Sequence, residues 1–381
     1  MADEGDKSGT SVAAALAAAR RITVKVGSSL IVGKDDGVRD EWLASIGADI
    51  AALHGQGKQV VLVSSGAVAL GRTHLRLRKS GRLDHKQAAA AAGQALLMQA
   101  WERALAPHGI PTAQLLLTID DTEQRRRSLN ARATLEVLLA AGGLPVINEN
   151  DSVATDELRY GDNDRLSART AQLVKSDVLV LLSDVDGLYT ADPSRNPGAA
   201  HIAFVPAITA EIEAHAGGAG SAGVGTGGMR TKLEAARIAS GFGCATIIAC
   251  GRDPHPLARL AEGARSTLIA PSGSPASAYK AWIKAMLAPG GAVTIDDGAV
   301  RALIAGKSLL PAGVTLVEGD FDRGACVRVL DRAGSEVARG IAAYSAAEAS
   351  LIRGRGSADI AAALGYSRSD ELIHRDDLVM L

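Results

Sequence analysis

Aromatic side chains are scarce: three Phe, five Tyr and three Trp make up 3% of 381 residues. Stacked rings therefore cannot fill the core. Val, Leu, Ile and a large share of Ala must do so, which suits buried parallel strands and close-packed helices. Cysteine is nearly as rare. Cys244, Cys250 and Cys326 form no CxxC pair and have no histidine cluster beside them, so a zinc site is not expected and buried, reduced thiols are. Net charge is lacking too. A formal −1 at pH 7 gives no bulk pull toward nucleic acid or a membrane surface. No run of apolar residues reaches the length of a membrane span, and the opening MADEGDKSGT is too acidic and polar for a secretory signal. A soluble cytoplasmic protein is expected, with residues 1–20 as a flexible leader.

What is present is an alternation. Short β-branched or leucine-rich runs occur at 21–26, 59–64, 112–117, 144–148, 177–182 and 245–249. Helical patterns fill the intervals at 40–54, 85–106, 121–140, 163–175 and 229–240. Apolar strands without strict alternation, separated by helices, predict an α/β fold: a mainly parallel sheet covered on both faces. Ligands in such sheets bind at the carboxyl ends of the strands. Near residue 270 the pattern changes. PSGSP (271–275) signals a linker, YKAWIKAML (279–287) reads as one short helix, and the runs AVTI, TLVEG, CVRVL and EVARGIAAY predict a small β-rich domain. The expected organisation is a large domain over 21–270, a linker over 271–290 and the small domain over 291–381.

Three motif matches fail on context. GVGTGG (223–228) fits a dinucleotide fingerprint, but no strand precedes it. AGKS (305–308) lacks the earlier glycine of a phosphate-binding loop, with Arg301 in its place. HRDD (374–377) sits at the chain end with no metal-binding motif after it.

VKVGSSL (24–30) is more informative. Lys25 lies inside an apolar strand, where an unpaired ammonium is costly, and Gly27, Ser28 and Ser29 follow with backbone and hydroxyl donors. A lysine beside such a nest suits a phosphate oxygen; the alternative is an edge-strand lysine snorkelling outward. SSGAVALG (64–71) repeats the strand-end pattern and is either an N-cap or an anion site. In GTGGMRTK (225–232) glycines lead into a helix whose first turn carries Lys232, an anion-binding package. NENDSVATDE (148–157) and GDND (161–164) crowd Asn148, Glu149, Asn150, Asp151, Asp162, Asn163 and Asp164 together. Part of this is turn chemistry, but carboxylates and amide oxygens also grip an ammonium or orient lysines and Mg²⁺. SDVDGLYTADP (183–193) follows the most apolar strand, with Ser183 and Asp184 set to meet a nucleotide. Two distant lysines, glycine amides and no evident base fit phosphoryl transfer, best to an acceptor already deprotonated at neutral pH.

In order and spacing, VKVGSS, SSGAVALG, LNARATL, PVINENDSVAT, GDNDRLSA, GLYTADP and GTGGMRTK resemble the glutamate 5-kinases of the amino acid kinase family. The resemblance runs from about Arg21 to the C-terminus, and the part beyond about Gly291 is similar to a PUA domain. It implies a three-layer αβα kinase fold and ATP- and Mg²⁺-dependent phosphorylation of the γ-carboxylate of L-glutamate, the first step of proline synthesis. It further implies that Lys25 and Lys232 stabilise the transferring phosphoryl group while Asp164 orients them. Ser65, Asp151, Asp162 and Asn163 would hold glutamate. Lys25, Gly27, Ser183, Asp184, Thr226, Gly227, Gly228, Met229, Arg230, Thr231 and Lys232 would contact ATP. No dedicated protein metal site is expected. The implied partners are proline as a feedback inhibitor, a homo-oligomer (dimer or tetramer), and glutamyl phosphate reductase. Ser28 and Ser183 stand where relatives often carry threonine, and Arg159 where they carry lysine.

The alternatives are another amino acid kinase, acting on acetylglutamate, aspartate or carbamate, a sensor without turnover, and an RNA-binding protein. Residues 291–381 hold ten basic against thirteen acidic side chains, a poor footprint for RNA.

Overall fold

Alternate residues of the first strand face two different cores. In β1 (Arg21–Val26), Ile22, Val24 and Val26 join a hydrophobic cluster with Trp42, Ile46 and Leu97. Thr23 and Lys25 point the other way, as the period of two requires. In β2 (Gln59–Ser64), Val60 and Leu62 serve the first core, whereas Val61 and Val63 pack with Leu135, Leu139 and Leu166. Both faces are covered by helices, which makes three layers and explains why these strands read as unbroken apolar runs.

In the computed structural model, residues 11–33, 37–79, 82–153, 163–216, 228–272, 289–366 and 369–381 are described. The chain divides into two compact units, one of residues 1–124 and 130–275, the other of 276–381 with 125–129. The first unit continues with β3 (Thr112–Leu117), β4 (Leu144–Glu149), β5 (Val178–Ser183), β6 (Leu188–Tyr189), β7 (His201–Ile202), β8 (Phe204–Val205), β9 (Ala245–Cys250) and β10 (Ser266–Ile269). Its eight-stranded sheet has the order β3-β4-β2-β1-β5-β9-β10-β8. The six strands from β3 to β9 in that order are parallel; β10 runs antiparallel to β9. The six expected strands are all there. Beyond them lie the short β10 and β8 at one edge and the β6–β7 hairpin.

Two expectations need correction. The leader is not loose throughout: Val12–Ala18 is a helix, N-capped by the Ser11 hydroxyl. Leu16 is buried with Ala19 in the main core, which contributes about 2 kcal/mol for the leucine. Lys58 Nζ donates to the carbonyls of Ala17 and Ala19 at its end. The helix expected over 121–140 is two helices, Ile119–Glu123 and Arg125–Ala140, meeting at extended Gln124. A capping box between Thr118 and Asp121 starts the first, and the extended backbone of Gln124 separates it from the second. The helix expected over 279–287 lies outside the described residues.

The second unit has its own core and a five-stranded sheet. It is built from β11 (Gly291–Ile295), β12 (Val314–Gly319), β13 (Cys326–Leu330), β14 (Glu336–Ile341) and β15 (Leu378–Met380), in the order β12-β11-β13-β14-β15. Only the β11–β13 pair is parallel. Val293, Ile295, Val327, Val329 and Tyr344 fill its interior. Cys244 and Cys326 are buried and Cys250 is half-buried; none of the three forms a disulfide. Burial, with the Asp177 carboxylate adding to it, pushes the Cys244 thiol far above its ordinary range.

Candidate active site

The parallel strands all end on one side of the sheet, and the segments following β1, β2, β4 and β5 carry most of the residues singled out in the sequence. Lys25 is the penultimate residue of β1, between β2 and β5. A central strand leaves its side chain no edge from which to snorkel. Its ammonium instead meets Asp164 Oδ1 at 2.7 Å. Lys232, 68 residues beyond Asp164 in sequence, donates from Nζ to the other oxygen, Oδ2, at 3.2 Å. Thr231 Oγ1 lies 2.8 Å from that same oxygen. Relative exposures of 8% for Lys25, 1% for Asp164 and 3% for Lys232 put this charge cluster out of water.

One carboxylate between two ammoniums leaves a net positive charge in a region of weak screening. Burial on its own would raise the pKa of Asp164, but Lys25 and Lys232 outweigh it and hold the carboxyl down at about 2. Asp164 is therefore ionised at every physiological pH. Its place at the start of helix Asn163–Leu173 adds the favourable end of the helix dipole.

On the β2–β4 side, a polar set surrounds Asn163. Its Nδ2 donates to Ser65 Oγ at 2.7 Å and to Asn148 Oδ1 at 3.0 Å. Asn148 Oδ1 also accepts from the Glu149 amide at 2.9 Å. With Nδ2 so committed, the buried Asn163 Oδ1 has no hydrogen-bond partner among the described residues, an acceptor left over for an incoming donor. Gly66, at φ +114°, makes the turn that starts helix Ala67–His74 directly after Ser65; a side chain there would be strained. Asp151 follows β4. Burial raises its carboxyl to about 6, against a lowering pull from Lys86. Asp162 lies outside the described residues.

On the β5–β9 side, Ser183 ends β5 and is buried, whereas Asp184 is exposed and pairs with Arg252 at 3.7 Å. The Gly27 amide bonds the Leu182 carbonyl at 3.3 Å, which ties the β1 turn to β5. Helix Met229–Gly241 starts at Gly228 with no side-chain cap, and its first amides face outward along its axis. Thr226 and Gly227 lie outside the described residues. Arg230 points away from the lysine pair and bonds Glu234 along the helix at 3.2 Å.

The residues match the model of the amino acid kinase family over 20–250 and that of the PUA domain over 291–364. Over 369 residues the chain is 59% identical to a glutamate 5-kinase of Caulobacter vibrioides, spanning 96% of this chain and 98% of that one. The chain belongs to the glutamate 5-kinase group of the amino acid kinase family. A glutamate 5-kinase of Paramagnetospirillum magneticum is 55% identical over 96% of this chain and 99% of its own length. Glutamate 5-kinase 1 of Rhizobium meliloti is 54% identical over 95% and 92%. The three-layer kinase unit and the β-rich second unit are those of this family.

Lys25, Asp164 and Lys232 lie together, and Ser65 lies with Asn163. Asn148 joins the second set as a buried acceptor. Its signal in the sequence was its position as the first polar residue after LPVI, on a strand whose every residue is buried. Among the described residues no group of three His, Cys, Asp or Glu could hold a metal ion.

Proposed function

We propose that this glutamate 5-kinase group member transfers the γ-phosphoryl group of ATP to the γ-carboxylate of L-glutamate, the first step of proline synthesis. The observation that carries the mechanism is the buried Lys25–Asp164–Lys232 cluster. A carboxylate oxygen attacks phosphorus, the bond to the ADP oxygen breaks, and the electron pair leaves with ADP. Charge on the phosphoryl oxygens is at its most demanding in between, and two ammoniums held out of water stabilise it without reorganising. Asp164 pairs with both ammoniums and keeps them aimed. No general base is needed, because the attacking carboxylate is already ionised.

Ser65, Asp151, Asp162 and Asn163 hold glutamate in this reading, with Asn163 Oδ1 and the Asp151 carboxylate receiving its ammonium. Gly27, Ser183, Asp184 and the segment 226–232 hold ATP. Mg²⁺, bound together with the nucleotide, would neutralise part of the phosphate charge. Proline competes at the acceptor side as feedback inhibitor, the chain acts in the cytoplasm as a dimer or tetramer, and a reductase takes the labile acyl phosphate. The deciding experiment is ATP turnover with glutamate, N-acetylglutamate and aspartate, each with and without proline. Glutamate alone should support turnover, with proline raising its KM. Preference for acetylglutamate or aspartate would overturn the assignment.

A further inference from the structure

Helix Asp40–Gly55 turns a hydrogen-bonding face to the loop that leaves β9. Trp42, 2% exposed, donates its Nε1–H to the Gly251 carbonyl at 2.7 Å, with the Asp253 carbonyl at 3.2 Å. Farther along the same face, Ser45 Oγ accepts the His255 amide at 3.1 Å. Asp49 accepts the Leu257 and Ala258 amides at 2.9 and 3.3 Å and pairs with His255 Nδ1 at 2.9 Å. Arg39, just before the helix, donates to the Leu30 carbonyl at 3.3 Å and the Arg252 carbonyl at 3.1 Å. Its guanidinium carbon lies 5.8 Å from the Trp42 ring centre. None of these residues belongs to the lysine cluster or the acceptor side.

Gly251 is where three elements converge. Its amide bonds the Ser183 carbonyl at 2.8 Å. A Cβ there would come within 2.7 Å of Leu30 Cδ1 and 3.1 Å of Leu182 Cβ, so a larger residue would make Leu30 give way. Leu30 belongs to the short helix Ser28–Ile31 that follows Gly27. Arg252, next to Gly251, is the partner of Asp184. Movement of 251–253 would therefore shift both flanks of the nucleotide side, the 27–29 turn and the 183–184 turn.

We infer that Trp42, with Arg39, is a positioning residue for the nucleotide. The indole N–H fixes Gly251, and Gly251 fixes the separation of the two turns. This inference rests on the nucleotide reading of Gly27, Ser183 and Asp184. An indole suits this role because it is rigid, and its buried donor has no water to fall back on if the loop moves.

The test uses the full-length protein. Trp42→Phe keeps a buried ring while removing the donor and part of the indole's volume, and Ile46→Val, which trims the same helix in the core, controls for lost volume. Steady-state kinetics with ATP and glutamate varied separately are combined with calorimetric binding of the Mg²⁺ complex of a non-hydrolysable ATP analogue. Trp42→Phe should raise the KM for ATP and the Kd of the analogue by about tenfold, as for loss of about 1.4 kcal/mol. The KM for glutamate should stay within twofold. Ile46→Val should lower Tm and leave both KM values unchanged. If Trp42→Phe leaves nucleotide affinity unchanged while Asp184→Ala weakens it, the positioning role is wrong and the nucleotide reading stands. If neither variant alters nucleotide binding, the nucleotide reading itself fails. Equal shifts in both KM values for Trp42→Phe would mark a merely structural role and overturn the inference.

Discussion

Two aspartates, thirteen residues apart in sequence, occupy opposite electrostatic situations. Asp164 is almost fully buried yet is held at about 2, because two ammoniums flank it. Asp151 is less deeply buried but is raised to about 6, because burial is opposed only by the pull of Lys86. Burial does not set the charge of a carboxylate; burial relative to its partners does. The first site is complete before any substrate arrives. The second has only the pull of Lys86 against its burial, and the ammonium of an amino acid would add to that pull.

The contrast can be broken most severely at Asp164. Asp164→Ala leaves two lysines buried without their shared partner and should cost about 3–5 kcal/mol of stability, read as a large drop in the denaturation midpoint. Lys232→Ala and Lys25→Met should each lower kcat by about 10²–10³-fold with a much smaller change in either KM. On the other aspartate the pattern reverses. Asp151→Asn should raise the KM for glutamate by about tenfold and change kcat little.

Much of the first site was legible in the sequence. Lys25 announced itself as a charge in an apolar strand, and Lys232 as a lysine after glycines at a helix start. That Asp164 joins them was not legible from spacing, because contacts across 139 and 68 residues depend on the strand order β2-β1-β5. It came only from the family resemblance. Helix Val12–Ala18 was missed because an alanine-rich heptapeptide is weakly apolar, and its one buried leucine gives no visible period. β10 was missed because four residues are too few for any pattern. The hydrogen bonds of Trp42 were invisible for another reason: its partners are backbone carbonyls, which every sequence has.

pH sharpens the comparison. Asp151 has a folded pKa raised above the unfolded value of 3.8, so ionising it costs stability as pH rises through 4 to 6. Asp151→Asn should therefore stabilise the substrate-free protein at pH 7–8, by about 1 kcal/mol, while weakening glutamate binding. In the wild type, the KM for glutamate should rise as pH falls through about 6, where the carboxylate is lost. Asp164 behaves oppositely: its stabilising contribution is fully present above about 4 and disappears only as pH falls toward 2. A flat KM for glutamate between pH 8 and 5.5 would dissolve the distinction between the two carboxylates.

The smallest effect is expected from the second unit, which has its own core. Removing residues 291–381 should leave glutamate-dependent turnover within about tenfold of the full chain, a change of about 1.4 kcal/mol in activation free energy. tRNA should be retained on a filter no better than by non-specific, salt-sensitive binding. Loss of all turnover in a truncated chain that remains folded would make that unit part of the catalytic machinery.

The most direct test is the single-turnover rate of phosphoryl transfer in Lys232→Ala at saturating ATP and glutamate, with the fold verified by circular dichroism. The lysine-clamp account predicts a fall of at least about 10²-fold, because charge stabilisation is lost with both substrates bound. A rate within threefold of the wild type would contradict it.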